Sequence, residues 1–236
     1  MTVSNETLEL LKQSSTATLT SVLRKKGLKN TFMHRVAPLK PGSNMAGPAF
    51  TLRYIPARED LDIEPIDNLT DMQRVGIEQI QAGDVFVIDA REHTRAGTMG
   101  SILAARIRVR GAVGVVTDGA YRDSPTIADS GFPAYAAAMN AHTNKTIHHP
   151  SEIQVPVACG GVAVFPGDIV VGDDEGVVVM PPQLASEVAE EAVEMDLRES
   201  FILSKVEDGA VLPGTYPANE KTLAEYEQWK KELSTD

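Results

Sequence analysis

The sequence predicts an α/β fold that contains a parallel βαβ unit and is flanked by helices at both ends. Apolar runs at 83–90 and 112–119 enclose a segment with helical spacing. A crossover of roughly 20 residues is long enough to bring the second strand back parallel to the first. The stretches at 5–27 and 183–207 instead carry apolar residues at helical spacing, which predicts a helix near each end.

The N-terminal third divides into short elements. Residues 5–27 predict a helix followed by a second, shorter helix that ends at Gly27. The apolar, β-prone stretch at 46–56 predicts a strand bounded by prolines. Residues 57–70 are acidic and irregular, which is typical of a loop, and 71–81 have helical spacing.

The βαβ unit itself begins with a Gly-Asp turn and the strand at 83–90. Its helix is predicted over 98–110, and its second strand is the apolar run of 112–119. Asp118 and Gly119 end that run, and this residue pair favours a turn.

After Pro133 the pattern changes to short strands separated by Gly and Pro, which predicts hairpins and tight meanders. The segment "GDDEG" at 172–176 lies between two Val-rich runs. It favours a hairpin turn over the metal site that its three acidic residues would also allow. A long helix over 183–207 and a final helix over 219–233 complete the chain.

Composition excludes several functional classes. The chain has 236 residues, of which 42% are hydrophobic, so it can build a sizeable core. No run of about 18 apolar residues predicts a membrane span, and no secretory signal is visible, so a cytoplasmic protein is expected. A net charge of −11 and 5% aromatic residues argue against nucleic acid as a partner.

The cysteine and histidine residues do not predict a site. The single cysteine, Cys159, excludes an internal disulfide and a Cys-rich zinc site, and it is expected to be a small buried apolar residue. His93, His148 and His149 lack zinc-binding spacing and are expected to be solvated.

Two stretches could carry chemistry. The glycine loop "RAGTMGS" at 95–101 precedes a helix, where free N–H groups can hold an anion, although a plain loop would look the same. The stretch "GVVTDGAYRDSPT" at 114–126 contains the end of the second predicted strand and the residues after it. Ligands bind at the carboxyl ends of strands in open α/β sheets. There Arg122 could bind a carboxylate and Asp123 could hold Mg²⁺. The alternative is a surface ion pair and a helix cap.

Three motifs together resemble one family: "AGPAFT", "GTMGSILAARIRVRGAVGVVTDGAYRD" and "PVACGGVAVFPGDIVVGDDEGVVVMP". The family joins the regulator of ribonuclease activity A to the class II 4-hydroxy-4-methyl-2-oxoglutarate aldolases. The resemblance covers 16–205, and Gly100 stands 22 positions before Arg122, as the family requires. It implies a swivelling β/β/α sandwich domain, expected over 1–205. Residues 206–236, which the resemblance does not cover, are expected to form a C-terminal helical extension.

The resemblance also implies an assembly and a set of site residues. The family forms homotrimers or hexamers with sites between subunits. Arg122 would bind the substrate carboxylate, Asp123 would hold Mg²⁺ or Mn²⁺, and Glu199 would enter a neighbouring subunit's site as a catalytic acid. The 2-oxo acid pocket would be completed by the backbone of four consecutive residues: Gly100, Ser101, Ile102 and Leu103.

One residue departs from the aldolase pattern. Aldolases of this family carry an acidic residue directly after the loop glycine, and this chain has Ser101. A neutral hydroxyl is a poor general base near neutral pH. Asp89, Glu92 or His93 could replace the missing acid from the end of the preceding strand.

The function that follows is a divalent-metal-dependent carbon–carbon lyase acting on a small 2-oxo acid and releasing pyruvate. Decarboxylation of an oxaloacetate-type acid needs only an electron sink, so it tolerates Ser101 better than aldol cleavage does. Two alternatives stay open: a non-catalytic protein-binding module like the ribonuclease regulators, and a lyase or dehydratase acting on a sugar-derived acid.

Overall fold

A computed structural model describes residues 3–62 and 65–233, so residues 63–64 of the predicted acidic loop lie outside the described residues. The α-helices of the described part are α1 Asn5–Gln13, α2 Thr16–Lys25, α3 Met72–Gln79, α4 Ser101–Val109, α5 Ser124–Asp129, α6 Ala185–Glu207 and α7 Glu220–Leu233. The strands are β1 Ala37–Pro38, β2 Met45–Pro56, β3 Val85–Asp89, β4 Gly97–Met99, β5 Gly114–Tyr121, β6 Ala134–Met139, β7 His148–Ile153, β8 Val157–Cys159, β9 Val162–Val164, β10 Ile169–Gly172 and β11 Val177–Met180.

The main sheet has the strand order β1-β6-β5-β3-β2-β10-β11, with β4 beside β5 and β7 beside β2. Strands β2, β3, β5 and β6 are parallel neighbours, and β3–α4–β5 is the predicted βαβ unit. The predicted α/β class, with helices at both ends, is therefore confirmed.

The region after Pro133 differs in part from the predicted hairpins. Strands β8–β9 and β10–β11 are antiparallel hairpins, and "GDDEG" is the turn of the second one, as the sequence predicts. Strand β6, in contrast, runs parallel to β5. The short helix α5, which the sequence does not predict, provides the crossover that a parallel connection requires.

Strand β2 connects the parallel and antiparallel parts of the sheet. Its first half pairs with β10, its second half pairs with β7, and its other edge pairs with β3. A bridge between Phe32 and Val178 beyond β11 brings the sheet close to closure. The 12 residues of β2 are long enough to serve both partners on one edge.

The core has two layers around the parallel strands, and β3 shows why its sequence is a continuous apolar run. Phe86 and Ile88 pack toward α3, α4 and α5, whereas Val85 and Val87 point to the opposite face and pack among β8–β11. Successive side chains of a strand alternate between faces, so a strand covered on both faces is apolar throughout.

The terminal helices pack together on the antiparallel side. Helices α1, α2 and α6 form one apolar cluster with β10 and β11. Helix α7 folds back onto α6 through Phe201, Tyr226 and Trp229, and Lys230 pairs with Glu194 across the two helices. Helix α6 runs continuously across residue 205, and the division into 1–205 and 206–236 stays a prediction.

Within the described ranges, no helix combines the length and apolar character needed to cross a membrane.

Candidate active site

An open pocket of about 330 Å³ lies where β4 and β5 end and α4 begins. Its other walls come from α3 and from the loop that leads into the short 3₁₀ helix Asn144–Thr146. Five residues expected from the sequence line it: Gly100, Ile102, Leu103, Arg122 and Asp123. The predicted glycine loop is partly a strand, because Gly97–Met99 pairs with the end of β5.

Arg122 and Asp123 follow the last residue of β5 directly. The backbone N–H of Arg122 donates to the Met99 carbonyl at 3.0 Å, which ties the end of β5 to the glycine loop. Asp123 has a left-handed backbone (φ 57°, ψ 29°), a conformation that aspartate tolerates better than most residues do. This reversal lets α5 start at Ser124 and leaves Arg122 and Asp123 on the pocket wall.

The Asp123 carboxylate lies at the amino end of α4. Its Oδ2 accepts from the backbone N–H of Ser101 at 3.2 Å and from the Ser101 hydroxyl at 3.3 Å. The Arg122 Nε lies 3.7 Å from the Asp123 Oδ1. The two side chains are 44% and 42% exposed, so both can still reach a ligand.

Asp123 packs so closely against residue 100 that this position requires glycine. A Cβ at Gly100 would come within 2.6 Å of the Asp123 Oδ2, and a Cβ at Gly97 would come within 2.7 Å of the Arg122 nitrogen. Any larger residue at Gly100 would push the carboxylate away from α4. The two glycines thus allow Arg122 and Asp123 to approach the loop closely.

Helix α4 presents backbone donors to the pocket. The first intrahelical bond runs from the N–H of Ala104 to the carbonyl of Gly100, so the three preceding N–H groups have no acceptor in the helix. Ser101 donates to Asp123, and Ile102 and Leu103 line the pocket. A helix start with free donors favours an anion beside it.

A buried polar network forms one side of the pocket. The Tyr54 hydroxyl and the Gln73 side-chain amide both donate to the Thr98 carbonyl, at 3.0 and 2.8 Å. The Asn144 amide donates to the Gln73 side-chain oxygen at 3.1 Å. Burial raises the pKa of the Tyr54 hydroxyl, so it stays a neutral donor. This network holds α3 and the loop before Asn144 against the strand that carries the glycine loop.

Asp118 and Gly119 do not form the predicted turn, because β5 continues through them to Tyr121. Asp118 is buried, and its carboxylate accepts from the backbone N–H groups of Ala90, Glu92 and Gly160, at 2.7, 3.1 and 3.4 Å. A Cβ at Gly119 would come within 2.6 Å of the Ala90 side chain. These residues therefore anchor the chain after β3, and they do not shape the turn that carries Arg122.

The Asp118 carboxyl predicts a specific pH dependence of stability. Burial, which outweighs the three N–H donors, raises its pKa to about 6, and Asp89 nearby adds to the shift. The unfolded value is about 3.9, so the protonated form favours folding; this stabilisation is complete below pH 4 and is lost as pH rises through 6. We expect the difference in unfolding free energy between wild type and Asp118→Asn to fall by on the order of 1–3 kcal/mol from pH 4 to pH 7.

Urea unfolding at a series of pH values measures this difference. Subtracting the variant from the wild type removes most of the contribution of the other ionisable groups. A difference that stays constant across that range would show that Asp118 is ionised in the folded chain throughout.

The side chains offered as replacements for the missing acid do not line the pocket. The Asp89 carboxylate accepts from the backbone N–H groups of Arg91 and Ala158, at 2.9 and 3.2 Å, on the side of β8. Glu92 is exposed and His93 is half-buried outside the pocket. Glu199 lies on α6 and lines a separate surface depression, so within one chain it does not meet Asp123.

His148 is buried, which overturns the expectation that it is solvated. Its ring stacks on Tyr54 with 5.0 Å between centroids, and its Nδ1 lies 3.3 Å from the Arg91 guanidinium. Burial and the Arg91 charge lower its pKa to about 4, so it is neutral at pH 7. Cys159 is a buried free cysteine, as the sequence predicts.

The donor set for a cation is small. Across residues 3–62 and 65–233, no three Asp, Glu, His or Cys side chains cluster so as to enclose a metal ion. Asp123 is the carboxylate that lines the pocket. Mg²⁺ keeps several waters and is commonly held by one or two carboxylates together with substrate oxygens, so this donor set fits Mg²⁺ or Mn²⁺ held partly through water.

Four polar residues of the pocket wall are absent from the sequence-based site: Gln73, Arg74, Thr143 and Asn144. They come from the first turn of α3 and from the loop after β6. No local pattern marks them, because a polar first helical turn and a polar loop are ordinary surface features. Only the folding of α3 against the glycine loop brings them to Arg122.

Comparison with known proteins gives matches over most of the chain. A family model described as RraA-like, Aldolase/RraA, matches residues 16–179. Protein DlpA of Legionella pneumophila is 28% identical over 177 residues, which make up 75% of this chain and 28% of that protein. The chain thus spans little more than a quarter of that relative.

A second relative and a solved structure match over more of their own length. A protein named "Putative 4-hydroxy-4-methyl-2-oxoglutarate aldolase" from Halalkalibacterium halodurans is 30% identical over 157 residues, covering 66% of this chain and 69% of the relative. The crystal structure of Streptomyces coelicolor RraAS2, described as an unusual member of the RNase ES inhibitor RraA protein family, has a TM-score of 0.78 and 32% identity, covering 86% of this chain and 100% of its own.

Proposed function

Because this chain belongs to the RraA-like family, we propose that it is a divalent-metal-dependent carbon–carbon lyase acting on a small 2-oxo acid and releasing pyruvate. The observation that carries the proposal is the placing of Arg122 and Asp123 on one pocket wall at the amino end of α4. Asp123 can act as a ligand for a cation, and Arg122 can bind a carboxylate. Together with the free N–H groups of the helix, these residues suit a 2-oxo acid bound in this pocket.

Arg122 binds the substrate carboxylate. Its guanidinium is partly exposed on the pocket wall and lies 3.7 Å from Asp123, a distance longer than a hydrogen bond. An arginine without a close partner can form two parallel hydrogen bonds with an incoming carboxylate, and this fixes the orientation of the acid. The backbone donors of Ile102 and Leu103 add to the attraction for the anion.

Asp123 holds the cation. Its Oδ2 is engaged by Ser101, whereas its Oδ1 has no hydrogen-bond partner among the described residues and is the atom offered to Mg²⁺ or Mn²⁺ or to a water in its shell. A cation held there would supply Lewis-acid polarisation of the 2-oxo group. The residues of the chain hold and orient the acid.

Ser101 favours decarboxylation over aldol cleavage. Its hydroxyl donates to Asp123, the carboxylate proposed to hold the cation, and Ser101 supplies no ionised group that could take the proton of a distal hydroxyl. Decarboxylation of an oxaloacetate-type acid needs the electron sink alone, whereas retro-aldol cleavage also needs a base for the distal hydroxyl. We expect oxaloacetate to be turned over faster than 4-hydroxy-4-methyl-2-oxoglutarate.

Pyruvate release from each acid, followed with Mg²⁺, with Mn²⁺ and with EDTA, tests the proposal. Free divalent ions decarboxylate oxaloacetate slowly, so each rate is corrected with a protein-free sample containing the same metal. Arg108→Gln is a matched control, because Arg108 is exposed on α4 outside the pocket and donates to the Ser130 carbonyl at 2.9 Å. Metal-dependent pyruvate release by wild type and control is expected; no such release from either acid contradicts the proposal.

The assembly is part of the proposal. A homotrimer or hexamer would bring Glu199 of a neighbouring copy to the pocket, as the family resemblance implies. Ile102 lines the pocket and its residue surface is 82% exposed, so it is available for contact with another chain. The mass of the protein in solution, measured by light scattering, checks this.

A non-catalytic binding protein is the second candidate. It is favoured by Ser101 in place of the acid and by the likeness to a member of the RNase ES inhibitor family. Stable binding to an RNase E-type enzyme with no metal-dependent turnover would support it over the lyase.

A further inference from the structure

We propose that Arg74 is a specificity-determining residue that binds a second carboxylate, at the far end of the acid held by Arg122. The proposal rests on the proposed function and assigns the residue that recognises the far carboxylate, which oxaloacetate and 4-hydroxy-4-methyl-2-oxoglutarate both carry. It separates these from 2-oxo monocarboxylates and from sugar-derived acids, whose far ends carry a methyl or hydroxyl group.

Arg74 lies on the first turn of α3 and lines the same pocket as Arg122. Its residue surface is half-buried, and its Nε is fully shielded from solvent without a hydrogen-bond partner. No hydrogen bond or ion pair of its guanidinium occurs within residues 3–62 and 65–233. A guanidinium carries five donors, and the Nε of Arg74 is shielded from solvent, so an anion entering the pocket would supply the acceptor that this guanidinium lacks within the described residues.

The carboxylates on both sides of Arg74 are already engaged. Asp71 caps α3: its Oδ1 accepts from the backbone N–H of Arg74 at 3.1 Å, and its Oδ2 pairs with Lys145 at 2.5 Å. Asp123 accepts from Ser101, and Arg122 is its neighbour. These carboxylates are thus committed to other donors, and a ligand carboxylate that enters the pocket can pair with Arg74.

The neutral polar groups beside Arg74 are also engaged with one another. Gln73 donates to the Thr98 carbonyl and accepts from Asn144, and Tyr54 donates to the same carbonyl. These bonds fix the amino end of α3, and so they fix the position from which Arg74 reaches the pocket. Two arginines on one pocket, with one acidic residue on its wall, give the site a net positive charge suited to a dianion.

The exposed arginines of α4 show the contrast. Arg106 forms two hydrogen bonds with Glu78, at 2.9 and 2.6 Å, and Arg108 donates to the Ser130 carbonyl. Their donors are engaged within the chain, whereas the Arg74 guanidinium faces the pocket with none engaged. Arg108→Gln removes the same charge from a site outside the pocket, so it again serves as the matched control.

The test compares two acids of equal length. 2-Oxoglutarate and 2-oxopentanoate differ only in the far group, which is a carboxylate in one and a methyl in the other. Their dissociation constants are measured by isothermal titration calorimetry with Mg²⁺ present, for wild type, Arg74→Gln and Arg108→Gln. Thermal melting of each variant confirms that it is folded.

Wild type and Arg108→Gln are expected to bind 2-oxoglutarate about 10- to 100-fold more tightly than 2-oxopentanoate, since a hydrogen-bonded charge pair is lost with the methyl group. In Arg74→Gln this ratio is expected to fall close to one, with 2-oxopentanoate bound within about threefold of wild type. An unchanged ratio in Arg74→Gln, or an equal loss for both acids, overturns the proposal.

This test is independent of turnover. If the ratio depends on Arg74 but no acid is cleaved, the lyase proposal fails and the dicarboxylate receptor stands. If acids are cleaved but the ratio of dissociation constants is unchanged in Arg74→Gln, the lyase stands and this inference fails. If wild type binds neither acid, the binding role of the pocket, and this inference with it, is overturned.

Discussion

Arg122→Ala is expected to lower kcat/KM for oxaloacetate roughly 10²- to 10³-fold, equivalent to about 3–4 kcal/mol of binding to the transition state. Arg122 is the first residue after β5, and its backbone is bonded to Met99 in the glycine loop, so its position is set by the sheet. Removing its side chain leaves that backbone bond intact. The loss would therefore come from the missing carboxylate receptor, with little change in thermal stability.

Arg122→Lys separates charge from geometry. Lysine keeps the positive charge but cannot make two parallel hydrogen bonds, so about a tenfold recovery over Arg122→Ala is expected. Steady-state pyruvate release measures both variants, with Arg108→Gln as the reference for the loss of an exposed arginine. A rate for Arg122→Ala within about threefold of wild type would remove Arg122 from the site.

Asp123→Asn is expected to weaken Mn²⁺ binding at least about tenfold and to lower the metal-dependent rate roughly 10²-fold or more, because the amide keeps the shape of the carboxylate but loses its charge. Asparagine also tolerates the left-handed backbone of this position, where φ is 57°. Its side-chain oxygen can still accept from the Ser101 N–H. The variant should therefore fold, and the loss should be specific to the cation.

Mn²⁺ titration followed by electron paramagnetic resonance measures this affinity directly, without turnover. Gly100→Ala perturbs the same Asp123 carboxylate in a second way. Its added Cβ would come within 2.6 Å of the Asp123 Oδ2, so the carboxylate must move although its charge is kept. Both variants are expected to bind Mn²⁺ more weakly than wild type. Wild-type affinity in Asp123→Asn would assign the cation to other ligands.

The sequence predicts well those elements in which apolar residues repeat over several helical turns or along a whole strand, because burial of their faces imposes that repeat. Strand β3 is apolar throughout because both of its faces are covered, and α6 repeats its apolar residues along one side for 23 residues. The elements that it misses are short. Helix α5 has six residues and β4 has three, too few for a period to show.

Two residues were misinterpreted for a related reason. Asp118 next to a glycine is ordinary turn chemistry, and His148 next to a second histidine and a proline is ordinary loop composition. In the structure both are buried inside strands. Asp118 accepts bonds from Ala90 and from Gly160, which are distant in sequence, and His148 stacks on Tyr54. Local propensity carries no information about such partners.

The features of the candidate site also divide into those that the sequence predicts and those that only the structure reveals. The sequence by itself determined the α/β class and the βαβ unit, because these depend on apolar period, and its resemblance to the family implied the pairing of the Gly100 loop with Arg122. Only the tertiary structure decided that Asp123 caps α4, that Asp89 and Glu92 stay outside the pocket, and that Arg74 faces it. The physical reason is that a charged side chain is defined by the acceptors around it, and those acceptors are brought together by packing between elements that are far apart in the chain.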